Sequence, residues 1–295
     1  MFLVNVESAI VWVFIRENHF PSHLSNQKRR PEAGCGITFM AHEQEKEAEG
    51  RAAAKLVKDG DVVGLGTGST AYFTVLALGE RVKSGLKMVG IPTSNATAEL
   101  ARSVGVPLST LDQHPVIDLD IDGADEIDPR LCLIKGGGGA LLREKIIASA
   151  SKKMVVISDS SKLVPVLGKF PLPVEIIAFA RAVVEQRIVA LGASPKLRTR
   201  SDGSPYLTDN GNPILDCSFG KIEDPPALAR TLSQIPGIVE HGLFIGLAKQ
   251  ALIGQGRAVK EISKERSRRT RGTRKKEVAA KRLRRKRPQT KRRRT

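Results

Sequence analysis

The chain has 295 residues, enough for one large domain or two modest ones, each with a core of its own. Its net charge of +17 is uneven: residues 264–295 hold 18 Lys and Arg against Glu265 and Glu277, so the 263 residues before them are nearly neutral and basicity does not characterise the folded body. Cys35, Cys132 and Cys217 are few, odd in number and widely spaced, with no C-x-x-C pair, which fits a reducing compartment and argues against structural zinc or a disulfide framework, and no apolar run is long enough to cross a bilayer.

The opening stretch "MFLVNVESAIVWVFIRENHF" is interrupted by Glu7 and has no basic segment before it, so it reads as neither signal nor anchor. With the loop-like "FPSHLSNQKRRPEAGCG" behind it, residues 1–39 are expected to be a disordered extension, or an upstream misreading of the start, with the folded protein beginning near Met40. Good helix formers then run over residues 41–58, and Gly60 in "DGD" supplies the stop.

"VVGLGTGSTAYF" follows as strand, tight turn and helix. The glycines are 64, 66 and 68, which is not the G-x-G-x-x-G spacing of a dinucleotide loop, and the next strand "KMVGIPTS" ends in Pro92, Thr93 and Ser94 without the acid that would hold a ribose. The turn is either a glycine-rich connection with no ligand or a cradle for one phosphate group, bound by loop amides and the hydroxyls of Thr67, Ser69 and Thr70.

Short apolar runs keep alternating with helical stretches through "SNATAELARSVG", "PLSTL", "VIDLDID", "KGGGGALLREKIIASAS" and "KKMVVISD", the mark of a parallel sheet wrapped by helices. Pro171 and Pro173 in "KFPLPVEII" break that rhythm. A helix "ARAVVEQRIVALG", two strands around the Asn-Gly turn of "PYLTDNGNPILDCSF" and a helix "DPPALARTLSQIPG" then suggest a small α+β domain over residues 172–237. "IVEHGLFIGLAKQALIG" is expected to return as a strand to the main sheet. The expected fold class is therefore α/β: a Rossmann-like domain of residues 40–171 and 238–263, with the smaller domain inserted before its last core strand and a basic disordered tail over 264–295.

Two stretches carry titratable groups in unusual settings. In "VIDLDIDGADEID" a strand would place Asp118, Asp120 and Asp122 on one face, with Asp125 and Glu126 just past its end, either as a solvated acidic edge or as a ligand site at the carboxyl end of a parallel strand. In "KGGGGALLREK" four consecutive glycines follow Lys135, an expensive choice for the chain unless bare backbone is needed. A helix beginning near Ala140 would carry Glu144 one turn in, as a surface acid paired with Lys145 or aimed at the acidic strand. His114 and His241 stand in structural contexts. Carboxylates that move protons, a cation that stabilises an oxyanion and a phosphate cradle together point to proton shuttling on a phosphorylated sugar.

"GLGTGSTA", "PTS", "DLDIDGADEID", "KGGGGALLREK", "SDSSK", "KFPLPVEI", "TDNGNPILD" and "IPGIVEHGLF" in this order resemble the ribose-5-phosphate isomerases of type A, over about residues 40–254. The resemblance implies interconversion of ribose 5-phosphate and ribulose 5-phosphate, in the non-oxidative branch of the pentose phosphate pathway, without metal or organic cofactor. It implies substrate contacts from Thr67, Gly68, Ser69 and Thr70, from Asp122, Gly123, Ala124 and Asp125, from Lys135, Gly136, Gly137 and Gly138, and from Lys162. It makes Glu144 the base that carries a proton between C1 and C2. Asp122, with Asp125 nearby, is the candidate for ring opening, and Lys135 with the loop amides for holding the enediolate. A cytoplasmic homodimer or homotetramer is the implied state, with no membrane partner.

The chain departs from that pattern at its end, where "GQGRAVKEI" replaces the usual ending and puts the last helix and its subunit contacts in doubt. The basic tail beyond it is either a solvated segment or a sequence-blind, salt-sensitive tether to nucleic acid or another polyanion. Two other readings stay open at this stage. Asp120, Asp122 and Gly123 match the D-x-D-G of magnesium-dependent haloacid dehalogenase-like phosphatases, although Ala124 follows and two β–α units precede. A non-enzymatic sugar-phosphate sensor is the other, although residues 1–39 do not resemble a helix-turn-helix.

Overall fold

The computed structural model describes residues 33–256 and 258–263. The expectations for residues 1–32 and for the basic tail fall outside that range. In chain order the elements are α1 (Ala33–Ala54), β1 (Val62–Leu65), α2 (Ser69–Lys83), β2 (Val89–Pro92), α3 (Asn95–Ser103), β3 (Leu119–Gly123), β4 (Glu126–Ile127), β5 (Leu133–Ile134), α4 (Leu141–Ala150) and β6 (Met154–Asp159). They continue as β7 (Leu172–Ile176), α5 (Arg181–Ala190), β8 (Ser194–Leu197), β9 (Ile214–Ser218), α6 (Pro225–Leu232), β10 (Ile238–His241), β11 (Leu243–Phe244), β12 (Ala248–Gln255) and β13 (Ala258–Ser263). The first helix starts at Ala33, so residues 33–39, expected in a disordered leader, are helical.

The main sheet runs β13-β12-β6-β3-β1-β2, parallel throughout except for the β12–β13 hairpin. In the "GQGRAVKEI" segment, where a last helix was in doubt, Gly254 pairs with Val259 and Gln255 with Ala258 in that hairpin. From β1 the chain crosses to β2 on one side and later returns to β3 on the other, so a crevice opens at the carboxyl ends of β1 and β3, the usual ligand position in such sheets. The register there is Leu65 opposite Ile121, which brings Gly66 level with Asp122.

A second sheet, β10-β7-β9-β8, is antiparallel, with α5 and α6 closing one core around Val174, Ile176, Val184, Ile188, Leu215 and Leu232. Pro173 sits inside β7, so the expected break at "KFPLPVEII" is a strand. The "IVEHGLFIGLAKQALIG" stretch divides three ways: β10 completes the small sheet, β11 joins a third sheet and only β12 enters the main one. The third sheet, β11-β5-β4, is the wall between the two bodies. Successive strand residues face opposite sides: Ile134 and Leu243 enter the small-domain core, whereas Leu133 and Phe244 enter the core beneath the main sheet.

Glu49 lies on the inner face of α1, fully buried against Gly254 of β12. Burial, and then the nearby Asp159 carboxylate, push its pKa up to about 8. Between about pH 4.5 and pH 8 the unfolded chain therefore releases a proton that the folded chain keeps, and stability falls as pH rises through that window. Thermal unfolding at pH 5 and pH 8 should show a smaller loss of Tm in Glu49→Gln than in the wild type; equal losses would contradict this assignment.

Candidate active site

The turn after β1 is shaped by close approach. A Cβ on Gly66 would run into the Asp122 carboxylate, and Gly68 has φ 118° and ψ 176°, a conformation that side chains rarely adopt. Gly68 is the N-cap of α2, without a side-chain cap and without an acid in the first turn, the kind of helix start whose N–H groups suit an anion. Thr67 Oγ1 meets the hydroxyls of Thr93 (2.7 Å), Ser94 (2.8 Å) and Thr97 (3.2 Å). Thr97 Oγ1 donates in turn to Gly66 O at 3.0 Å. This hydroxyl cluster behind the turn was not foreseen as part of the site, although "PTS" carries two of its members. Ser69 and Thr70 open α2 at the crevice.

Asp120 and Asp122, two residues apart on β3, are both fully buried. Asp122 Oδ1 accepts from Thr67 N (3.2 Å) and Gly123 N (2.7 Å), and its Oδ2 stands 2.9 Å from Lys135 Nζ. The same ammonium is 3.2 Å from Glu144 Oε2 and donates to Gly123 O at 2.7 Å, with the Phe244 ring 5.4 Å away. Lys135 and Glu144 are only 2% and 3% exposed, which makes this ion group a desolvated one.

Burial raises the Glu144 pKa to about 8; Lys135 opposes that rise, while Asp122 and Asp125 add to it. Burial likewise raises Asp122 against the pull of Lys135, and it raises Asp120 strongly, with Asp122 beside it reinforcing the effect. For Lys135 burial works against the charge, but Asp122 and Glu144 outweigh it and the ammonium is held more firmly than usual. The group thus contains proton holders of different strength around one fixed cation.

The glycine loop closes the third side. Gly137 N donates to Asp125 Oδ2 at 2.8 Å, and a Cβ at Gly137 would stand 2.5 Å from the Asp125 carboxylate. Gly136 has φ 100°. A Cβ on Gly138 would be 3.8 Å from Thr67 Cγ2, so the glycine loop and the turn after β1 meet. Gly123 and Ala124 form the half-buried backbone between Asp122 and Asp125. Lys162 ends the 3-10 turn Ser160–Lys162, which follows β6 at the same edge of the sheet and is capped by Asp159.

One expectation needs correction. Asp118 precedes β3 and is bound to Lys152 (2.6 Å) and to Val62 N (2.9 Å), so the acidic cluster holds two of the three alternating aspartates. Of the two settings open for Glu144, the structure has the one aimed at the acidic strand: α4 turns Lys145 to Glu240 Oε1 (2.7 Å) and His241 O (2.5 Å), while Glu144, one residue earlier, faces Lys135. His241 is buried, its Nδ1 meets Lys145 and accepts from Leu243 N, its Nε2 meets Ser233 and Ala229 O, and its pKa is lowered to about 4 by burial and by Lys145.

Residues 89–258 match the family model for ribose 5-phosphate isomerase A (phosphoriboisomerase A). The chain is 53% identical over 221 residues to ribose-5-phosphate isomerase A of Parvibaculum lavamentivorans, covering 73% of this chain and 96% of that protein. It is 51% identical over 226 residues to that of Caulobacter vibrioides, covering 75% and 98%. Among solved structures it is similar to ribose 5-phosphate isomerase A from Methanocaldococcus jannaschii (42% identity, TM-score 0.73, 76% of this chain and all of that one). It is also similar to a D-ribose-5-phosphate isomerase in complex with phospho-erythronic acid (39% identity, TM-score 0.73, 75% and 99%).

Replacing Lys135 by Met would leave two buried carboxyl groups beside an apolar chain, a loss of about 3–5 kcal/mol. Without the cation the carboxyls hold their protons to higher pH, so the loss should be larger at pH 8 than at pH 6 in urea unfolding. Unchanged stability at both pH values would contradict the ion group described above.

Proposed function

The chain belongs to the ribose-5-phosphate isomerase A family, and on that premise we propose that it interconverts D-ribose 5-phosphate and D-ribulose 5-phosphate with Glu144 as the base. The observation that carries this reading is the Lys135 ammonium held between the carboxyls of Asp122 and Glu144, at the end of a strand beside a phosphate-sized turn. The substrate phosphate is assigned to the amides and hydroxyls of Thr67, Gly68, Ser69 and Thr70, with the sugar reaching toward Asp122, Gly123, Ala124 and Asp125.

Asp122, assisted by Asp125, takes and returns the hydroxyl proton when the furanose ring opens. Glu144 then removes the proton from C2 of the open-chain aldose, leaving an enediolate across C1 and C2, and delivers it to C1. The proton of the C2 hydroxyl passes to the oxygen on C1, so the carbonyl oxygen on C1 becomes a hydroxyl and the hydroxyl on C2 becomes the ketone. Negative charge that develops on these oxygens is met by Lys135 and by the glycine loop, whose residues Gly136, Gly137 and Gly138 line the substrate; the Gly137 amide itself is held by Asp125, which leaves that of Gly138 to face the oxyanion. Lys162 is assigned to substrate binding. The substrate class and pathway suggest a cytoplasmic homodimer or homotetramer; among the described residues no helix is long and apolar enough to cross a membrane.

The phosphatase reading does not fit the geometry. Its nucleophile would be Asp120, whose carboxylate lies beneath Gly64 of β1, on the strand and away from the turn at the strand end where Asp122 meets Lys135 and Thr67 N.

A carboxyl group must be ionised to act as a base, and a pKa raised to about 8 places the active form at the alkaline side of neutrality. In the wild type kcat/KM should therefore climb between pH 6 and pH 8. Glu144→Gln should lose about 10²–10⁴ in kcat while still binding ribose 5-phosphate in calorimetry; turnover near the wild-type rate would remove Glu144 from its role. Lys162→Ala should raise KM with little change in kcat, and the reverse pattern would contradict a binding role.

A further inference from the structure

Arg198 lies in the small domain, outside every group of residues assigned above. Its Nη1 donates to two successive carbonyls of the glycine loop, Gly136 O and Gly137 O, each at 3.0 Å. Its other edge is clamped by Asp216, from Nε to Oδ2 at 3.0 Å and from Nη2 to Oδ1 at 2.5 Å, and the guanidinium carbon is 5.8 Å from the centre of the Tyr206 ring. Tyr206 OH donates to the next carbonyl, Gly138 O, at 3.3 Å, and its hydroxyl fills the space that a Cβ on Gly139 would need. Backbone pairing of Tyr206 N with Arg198 O (2.9 Å) joins the two side chains into one arm. Three consecutive loop carbonyls are thus drawn toward the small domain by two side chains.

A trans peptide plane points its N–H opposite to its C=O. Pulling Gly137 O toward Arg198 therefore turns the Gly138 N–H away from the small domain. Gly138 is exposed, and a Cβ built on it would come within 3.8 Å of Thr67 Cγ2; the loop fronts the crevice here, and the N–H turned from Arg198 lies on that side. The neighbouring amides are already committed, Gly137 N to Asp125 and Gly139 N to Gly136 O at 2.9 Å.

We propose that Arg198, braced by Asp216 and Tyr206, is a positioning residue for the isomerisation: it fixes the 137–138 peptide plane so that the Gly138 amide meets the oxyanion of the enediolate. This rests on the reading of the glycine loop and Glu144 given above. The guanidinium suits the task because its planar fork can hold two carbonyls on one side and a carboxylate on the other at once, which an ammonium cannot.

The test is steady-state kinetics of full-length Arg198→Ala and Arg198→Lys, with Glu144→Gln alongside. Loss of a preorganised donor acts on the transition state, so kcat should fall about ten- to a hundredfold in Arg198→Ala, with KM within threefold. Arg198→Lys should fall between it and the wild type, and added methylguanidinium should restore part of the Arg198→Ala rate. Wild-type kcat in either variant would overturn the proposal. So would a loss in Arg198→Ala carried wholly by KM, or one that methylguanidinium does not relieve in a folded variant. If Arg198→Ala fails to fold, the kcat of Arg198→Lys decides alone. Normal turnover in Glu144→Gln would instead strike at the mechanism itself and leave the loop contacts of Arg198 to be judged by their own kcat effect.

Discussion

The structure depends on one buried ammonium. Lys135 sits between two carboxyl groups that burial alone would neutralise, with a carbonyl and an aromatic face completing its surroundings. Such a group is weak as a source of stability, since desolvation offsets most of its Coulomb energy. Its value is chemical: it keeps Asp122 and Glu144, both raised in pKa by burial and both opposed by the ammonium, at fixed positions in a place where water competes little. Asp120 beneath them adds a third proton holder, without touching the crevice.

Topology supplies the rest. The switch of direction between β1 and β3 puts the turn after β1 and Asp122 side by side, and the missing Cβ of Gly66 lets them touch. Lys135 arrives from β5, in the small wall sheet whose alternate residues belong to two cores, so neither body can shift without disturbing the ammonium. Gly242, between β10 and β11, leaves no room for a Cβ against Lys135 O, and its carbonyl accepts from Lys135 N at 2.9 Å. The small domain is therefore part of the active-site frame, through its backbone at Gly242 and through the arm carrying Arg198 and Tyr206.

Much of this was legible in the sequence, because the local signals and the tertiary constraints agree. Glycines that seem extravagant, in 64–68 and 136–139, mark the places where backbone must approach a carboxylate, a hydroxyl or a ring. Alternation placed Asp120 and Asp122 on one face but could not say that Asp118, just before the strand, would be drawn off by Lys152. Helical spacing placed Glu144 in the first turn of α4, yet the choice between Lys145 and Lys135 as its partner is a matter of which helix face is buried. The start of α1 at Ala33 was missed because residues 33–39 show no helical period. Arg198 and Tyr206 were illegible for a plainer reason: they reach the loop from more than sixty positions away in sequence, and nothing local distinguishes them from solvated residues.

The most direct test of this account is hydrogen exchange at the reacting carbon. Ribose 5-phosphate incubated in deuterated water with the wild type should gain deuterium at C2 by proton NMR, as a base removes and returns the hydrogen. Glu144→Gln, saturated with the same sugar, should leave that signal undiminished. Exchange by the variant at the wild-type rate would mean that another group takes the proton, and that the carboxyl beside Lys135 has a different task.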